Sequence, residues 1–200
     1  MPERPPPRVA IVGGGPAGLM AAEALCHAGL NIEVYEAMPS PARKFLMAGK
    51  GGLNITHAEP FDDFCARYGA CATRMRRMLE SFGPEEIRRW MQKLGIDSFT
   101  GSSGRVFPVD MKAAPLLRAW LQRLRADGVR FHMRHRWQDI RRKADGRYEL
   151  RFLSSAGELC VTADAVVFAL GGGSWSKLGA DGSWTHTFAR HDIPIAPLRP

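Results

Sequence analysis

Val9-Ala10-Ile11-Val12-Gly13-Gly14-Gly15-Pro16-Ala17-Gly18 is the stretch that decides the fold. An apolar run of four ends in a GxGxxG pattern, and the segment Ala17–His27 that follows reads as a helix closed by Gly29. A strand feeding a glycine turn that opens a helix is the arrangement of a dinucleotide-binding unit. Gly13 permits the tight turn, Gly15 lets a phosphate approach the backbone, and Gly18 removes a side chain where helix crosses strand. Pro16 and Ala17 start the helix, whose unpaired N–H groups and positive dipole end suit a pyrophosphate. A second apolar run, Ile32–Tyr35, closes on Glu36, 18 residues past Gly18, where a carboxylate meets a ribose hydroxyl. Residues 8–36 therefore read as one βαβ half.

Composition bounds the rest. Two hundred residues at 45% hydrophobic content can bury a core as one domain, or as one domain carrying an insertion, and are not a disordered chain. No apolar stretch reaches membrane-spanning length, and residues 1–7 read as a disordered lead without the apolar core of a signal peptide. Cys26, Cys65, Cys71 and Cys160 show no CxxC spacing, so buried reduced thiols are expected rather than disulfides or metal ligands. Together these features predict a cytoplasmic protein with no metal and no membrane partner. The net charge of +8 is uneven, since residues 118–151 hold eleven Arg or Lys against four acids. Without an RNA-binding motif or aromatic ladder, that stripe reads as solvated surface, and nucleic acid is not the expected partner.

Beyond Glu36 a long loop is expected from Ala37 to Thr56. Helical periods follow. Met75, Met78, Leu79 and Phe82 form one stripe, and Ile87, Trp90, Met91 and Leu94 form another between Pro84 and Gly95. Ala114, Leu117, Leu121 and Leu124 form a third. Val129–Met133, Tyr148–Leu153 and Leu159–Thr162 are short strands, read together as a small meander. Ala165–Leu170 is continuously apolar, the pattern of a strand buried on both faces, and it ends in Gly171-Gly172-Gly173. The expected class is α/β, a Rossmann-like dinucleotide-binding parallel sheet with an inserted helical segment and a small β-meander. Its expected divisions are a nucleotide unit with its loop at 8–60, the insertion at 61–128, and the meander and sheet return at 129–200. Two strands ending in glycine clusters would both emerge at the carboxyl edge of a parallel sheet, where ligands bind.

The loop Arg43-Lys44-Phe45-Leu46-Met47-Ala48-Gly49-Lys50-Gly51-Gly52-Leu53-Asn54-Ile55-Thr56-His57 combines cations, close-approach glycines and an amide. With the opening glycine motif, Glu36, Gly104–Pro108 and Ala169–Gly182, it resembles the bacterial NAD(P)/FAD-dependent oxidoreductases of the BaiN-like flavoprotein group. The resemblance implies FAD as cofactor, NADH or NADPH as electron donor and a small-molecule substrate. It implies that Gly13, Gly15 and Gly18 meet the pyrophosphate and Glu36 the adenosine ribose. Arg43 and Lys44 would lie along the phosphates, and Lys50, Gly51 and Asn54 beside the isoalloxazine. By the same resemblance Trp137 would occupy the place where a backbone group meets the adenine, and Gly171 and Gly172 would close on the cofactor. Many members carry an Arg-Cys pair where this chain has Gly52-Leu53, a departure that removes a cation and a thiol from the flavin side. Members are also longer, so the chain is expected to be an N-terminal portion.

His57, ending the loop, is a candidate proton donor, and Lys50 a candidate for stabilising negative charge on a reduced ring. His132 and His135, three apart in a predicted strand, are expected on opposite faces, which argues against a shared metal. Asp181 reads as a helix cap rather than an acid. The expected function is an FAD-dependent oxidoreductase moving hydride between a nicotinamide or small organic substrate and the flavin. Two alternatives stay open: a flavoprotein acting in RNA modification, and a non-catalytic fragment with weak or no FAD binding.

Overall fold

A computed structural model describes residues 5–198. The first four residues of the expected lead at 1–7, and Arg199 and Pro200, lie outside them. In chain order the elements begin with β1 (Arg8–Val12), α1 (Pro16–Leu25), β2 (Asn31–Glu36), α2 (Arg43–Ala48) and β3 (Thr56–His57). Next come α3 (Phe61–Ala66), α4 (Ala72–Leu79), α5 (Pro84–Lys93), β4 (Ser98–Thr100), β5 (Arg105–Pro108) and α6 (Ala113–Ala126). The chain continues through β6 (Arg130–Met133), β7 (Arg136–Arg142), β8 (Tyr148–Ser154), β9 (Gly157–Ala163), β10 (Ala165–Phe168) and α7 (Trp184–Ala189).

Two compact units result, one running to Lys44 and resuming at Leu124, the other Phe45–Arg123. The expected divisions at 60/61 and 128/129 differ from these. The loop after Lys44 is stitched into the inserted unit by its own backbone: Leu53, Ile55 and Ala58 donate to the carbonyls of Met111, Val106 and Gly104, and β3 pairs with β5.

The first unit is built on a parallel sheet in the order β10-β1-β2-β6. β1 sits inside it and is buried from Val9 to Val12. Alternation sends its side chains to two layers. Ile11 faces α1, where a Cβ on Gly18 would lie 3.3 Å from the Ile11 Cγ2. Ala10 and Val12 join Tyr35, Trp137, Leu150, Phe152, Val161 and Ala163 in a core between the sheet and the antiparallel β7-β8-β9 meander. Tyr35 and Phe152 stack at 4.5 Å within it, a pairing worth about 0.5–1.5 kcal/mol beyond area burial.

Three expectations change. Residues 130–133 leave the expected meander and pair parallel with β2, and β7 takes their place beside β8. The run 165–168 is an edge strand of the described sheet, partly exposed rather than buried on both faces. Cys65 is the buried thiol; Cys71 and Cys160 are exposed and Cys26 half-buried, none in a disulfide.

The second unit holds α3, α4, α5, most of α6 and the sheet β3-β5-β4, so the insertion expected to be helical also carries short strands. Trp90 and Trp120 meet edge to face at 4.8 Å in its core. Gly49 is fixed by packing, since a Cβ there would lie 2.5 Å from that of Ala113.

Candidate functional site

All four parallel strands end at one edge, and the glycine motif lies on it. Gly13 leaves β1 at φ +110° and donates to the Tyr35 carbonyl at 2.8 Å. A Cβ on Gly13 would come within 2.2 Å of the Ala169 carbonyl oxygen, and one on Gly18 within 1.9 Å of the Gly13 carbonyl oxygen. Both glycines are required by the protein's own backbone. Gly14, which the motif leaves unassigned, is tight as well, with Glu36 Oε2 at 3.1 Å and Pro41 Cβ at 3.2 Å from a Cβ built on it.

Gly15 differs. It caps α1 in extended geometry, with Pro16 opening the helix, and a Cβ there would meet nothing within 4 Å. The fold therefore gives no reason for glycine at this position, whereas a ligand lying against the backbone does. The amides of Ala17 and Gly18 in the first turn have no intrahelical acceptor. Gly171 and Gly172, beyond β10, are likewise open.

Glu36 stands at the end of β2 with its carboxylate already aimed. Oε2 accepts from the Gly14 amide and Oε1 from the Met38 amide, both at 2.8 Å. A carboxylate has about four acceptor positions, so two stay open for hydroxyl donors. The chain leaving β6 runs alongside, with His135 donating its amide to the Glu36 carbonyl at 2.9 Å. β7 then carries Trp137, whose indole is core: it packs on Phe168 and Phe188 and donates to the Asp139 carbonyl. Only the Trp137 backbone is left to meet a base.

The segment before α2 closes against the glycine turn, because Ala42, at φ +54°, donates to the Gly14 carbonyl at 2.9 Å. Arg43 follows directly, and its Nε is buried without a hydrogen-bond partner. A buried cationic donor without a partner fits an anion. Lys44 reaches Ser174 Oγ at 2.9 Å, tying this segment to the second glycine loop. The residues present thus fit a dinucleotide: a carboxylate for ribose, free amides and Arg43 for phosphate, and glycines with no protein neighbour.

Within the second unit, Lys50, Gly51 and Asn54 are exposed or nearly so, and Gly51 is open to a close approach. The His57 ring is held by the loop around it. Its Nδ1 accepts from the Glu59 amide at 3.2 Å and its Nε2 donates to the Ser103 carbonyl at 3.0 Å, while Gly104 leaves room for the ring. Asp181 accepts from the Ser183 amide, the residue that caps α7, and from Arg136, so it shapes the entry to that helix.

Sequence reading missed a buried polar cluster in the same sheet, toward its amino edge. Glu33 on β2 is 2% exposed and receives Arg8 from β1, Arg130 from β6 and the Tyr35 hydroxyl. Burial alone would raise the Glu33 carboxyl, but these hydrogen bonds override it and hold it at about 2. Burial, with the adjacent carboxylate, pushes the Tyr35 phenol up. His132 is pushed down by burial, against the opposing pull of Glu33. The only signal in the sequence was an acid inside an apolar strand. His132 and His135 also come together, rings 5.6 Å apart and both against Tyr35. The strand ends at Met133, and Arg134 at φ +61° turns the chain, so strand alternation does not reach His135. Within the basic stretch, Arg130, Arg136, Arg141, Arg147 and Arg151 each pair with a carboxylate, which breaks up the positive stripe.

Among solved structures, the chain is similar to the 3-ketosteroid-delta4-(5alpha)-dehydrogenase of Rhodococcus jostii RHA1, at 18% identity and TM-score 0.61 over 82% of this chain and 45% of that one. It is similar to THI4 of Thermovibrio ammonificans at 19% identity and TM-score 0.59, covering 94% of this chain and 64% of that one. The OxyS anhydrotetracycline hydroxylase of Streptomyces rimosus matches at 20% identity and TM-score 0.52, over 83% and 32%. The chain thus spans between about a third and just under two thirds of the length of these structures. At these identities the likeness is one of fold. A family model described as the HI0933-like protein Rossmann domain matches residues 7–198, and the chain belongs to that family.

Proposed function

We propose that the chain binds FAD along the carboxyl edge of its parallel sheet and serves an oxidoreductase that moves hydride between NADH or NADPH, or a small organic substrate, and the flavin. The observation that carries this reading is Gly15, a glycine that nothing in the protein requires, in the turn whose Gly14 amide holds the Glu36 carboxylate. Glu36 accepts from the adenosine ribose while the Gly14 and Met38 amides hold it in place. The amides of Ala17 and Gly18 and the Nε of Arg43 donate to the pyrophosphate. The dehydrogenase and hydroxylase named among the similar structures, and the resemblance to the BaiN-like group, support redox chemistry. That resemblance assigns Lys50, Gly51 and Asn54 to the isoalloxazine, where Lys50 would supply positive charge. The flavin, when bound, supplies the hydride chemistry. A soluble setting in the cytoplasm is part of the same proposal; among the described residues no helix is long and apolar enough to cross a membrane.

The test is the visible spectrum of the purified protein, FAD stoichiometry after denaturation, and oxidation of NADH and NADPH with and without added FAD. A yellow protein holding one FAD supports the cofactor assignment. No flavin uptake at saturating FAD sinks it, and uptake without nicotinamide oxidation sinks the donor assignment alone.

A further inference from the structure

The opposite, amino edge of the same sheet carries a cluster unrelated to the nucleotide edge. β2 and β6 are parallel neighbours, so the turns that feed them lie side by side, and Arg130 on one strand reaches Asn31 Oδ1 on the other at 2.8 Å. The first turn, at the end of α1, presents Cys26 and His27; the second, at the end of α6, presents Asp127. One ligand atom from each, a thiol sulfur, an imidazole nitrogen and a carboxylate oxygen, all lie within 4.8 Å of one another. Cys26 Sγ and Asp127 Oδ2 are 3.9 Å apart. Metal–sulfur and metal–oxygen bonds of about 2.3 and 2.0 Å in a tetrahedral site place their donors about 3.5 Å apart, so a small side-chain adjustment closes the pair on an ion.

Both turns are held by backbone. Ala28 donates to the Leu25 carbonyl at 3.0 Å, with Gly29 at φ +67° behind it. Gly128, at φ +87°, and Val129 donate back to Arg125 and Leu124 at 3.1 and 2.9 Å. Cys26 Sγ presently donates to the Glu23 carbonyl at 3.1 Å. The C-terminal end of α1 also favours a cation through the helix dipole.

We propose that Cys26, His27 and Asp127 form a binding site for a borderline-soft divalent cation of the zinc class, completed by water. A thiolate and an imidazole select against magnesium and calcium. On binding, the Cys26 thiol releases its proton to solvent and the thiolate takes the metal, so affinity rises with pH. The ion clips the α1–β2 turn to the α6–β6 turn and stabilises the nucleotide-binding unit without entering its ligand edge.

Cobalt(II), titrated into the reduced protein, is the probe, because thiolate ligation gives a near-ultraviolet charge-transfer band. We expect one equivalent to bind with that band, zinc(II) to displace it, and zinc(II) to raise Tm. Cys26→Ser should abolish the band, and His27→Gln and Asp127→Asn should each weaken binding by at least about tenfold, since even second-shell losses cost 10–100-fold. All three side chains are at least partly exposed, so the variants should fold. A band surviving in Cys26→Ser would show that another cysteine binds the probe, and unchanged affinity in Asp127→Asn would remove the carboxylate; either result overturns the site. Absence of cobalt binding by the wild-type chain overturns it outright.

Discussion

Gly15 and Gly18 stand three residues apart, and the structure separates their roles sharply enough to measure. A methyl group at Gly15 meets nothing within 4 Å, while one at Gly18 falls 1.9 Å from the Gly13 carbonyl oxygen. Gly15→Ala loses a few tenths to about 1 kcal/mol at a helix N-cap. It recovers about 0.4–1 kcal/mol by restricting the unfolded chain, so folding stability should barely change. If Gly15 faces a phosphate, as proposed, the same methyl group occupies the space that phosphate needs. Losing two charge-assisted amide contacts at about 1.5–3 kcal/mol each is 3–6 kcal/mol in all, or roughly 10²–10⁴-fold in Kd. Gly18→Ala should do the reverse. Its methyl cannot be accommodated without moving backbone, so stability should fall by about 2 kcal/mol or more, and binding should fail because the turn is lost. Urea denaturation and FAD titration on the three proteins give the two readouts. Equal stability losses in both variants, or an unchanged FAD affinity in Gly15→Ala, would refute the assignment of Gly15 to a ligand.

Two further outcomes follow from the same geometry. Glu36→Ala should weaken FAD binding by about 10–100-fold, the cost of about 1.5–3 kcal/mol for a charged acceptor, with far-ultraviolet circular dichroism unchanged; full retention of FAD would remove the ribose role. Glu33→Gln should destabilise the nucleotide-binding unit by about 3 kcal/mol, the linkage equivalent of a carboxyl lowered from 4.5 to about 2. Because the folded value is depressed, that stability is present above pH 4.5 and lost as pH falls through about 2. His132, lowered in the fold, adds a separate loss as pH drops below its ordinary 6.5. Thermal unfolding from pH 7 to 2 should therefore show a steep acid limb in the wild type that flattens below pH 4.5 in Glu33→Gln. An unaltered limb would mean the carboxylate is not the group that titrates.

Much of the nucleotide edge was legible in the sequence because its signals are local. A φ of +110° at Gly13, the opening of α1 at Pro16 and the end of β2 at Glu36 depend on residues adjacent in the chain. The stripe around Trp90 and Met91 marked α5 for the same reason. What only the tertiary structure decided depends on residues far apart in sequence. Strand period could not say that 130–133 would pair with β2 rather than join the meander, because both partners offer the same backbone hydrogen bonds and the choice is made by packing. It could not show that Arg8 and Arg130 would converge on Glu33, or that Asp127 would arrive beside Cys26. The motif separated Gly15 from Gly18 by role, but only the fold supplies the atoms behind that difference: a carbonyl folded back onto Gly18 forbids a side chain there, and the space at Gly15 exists once the strands are aligned.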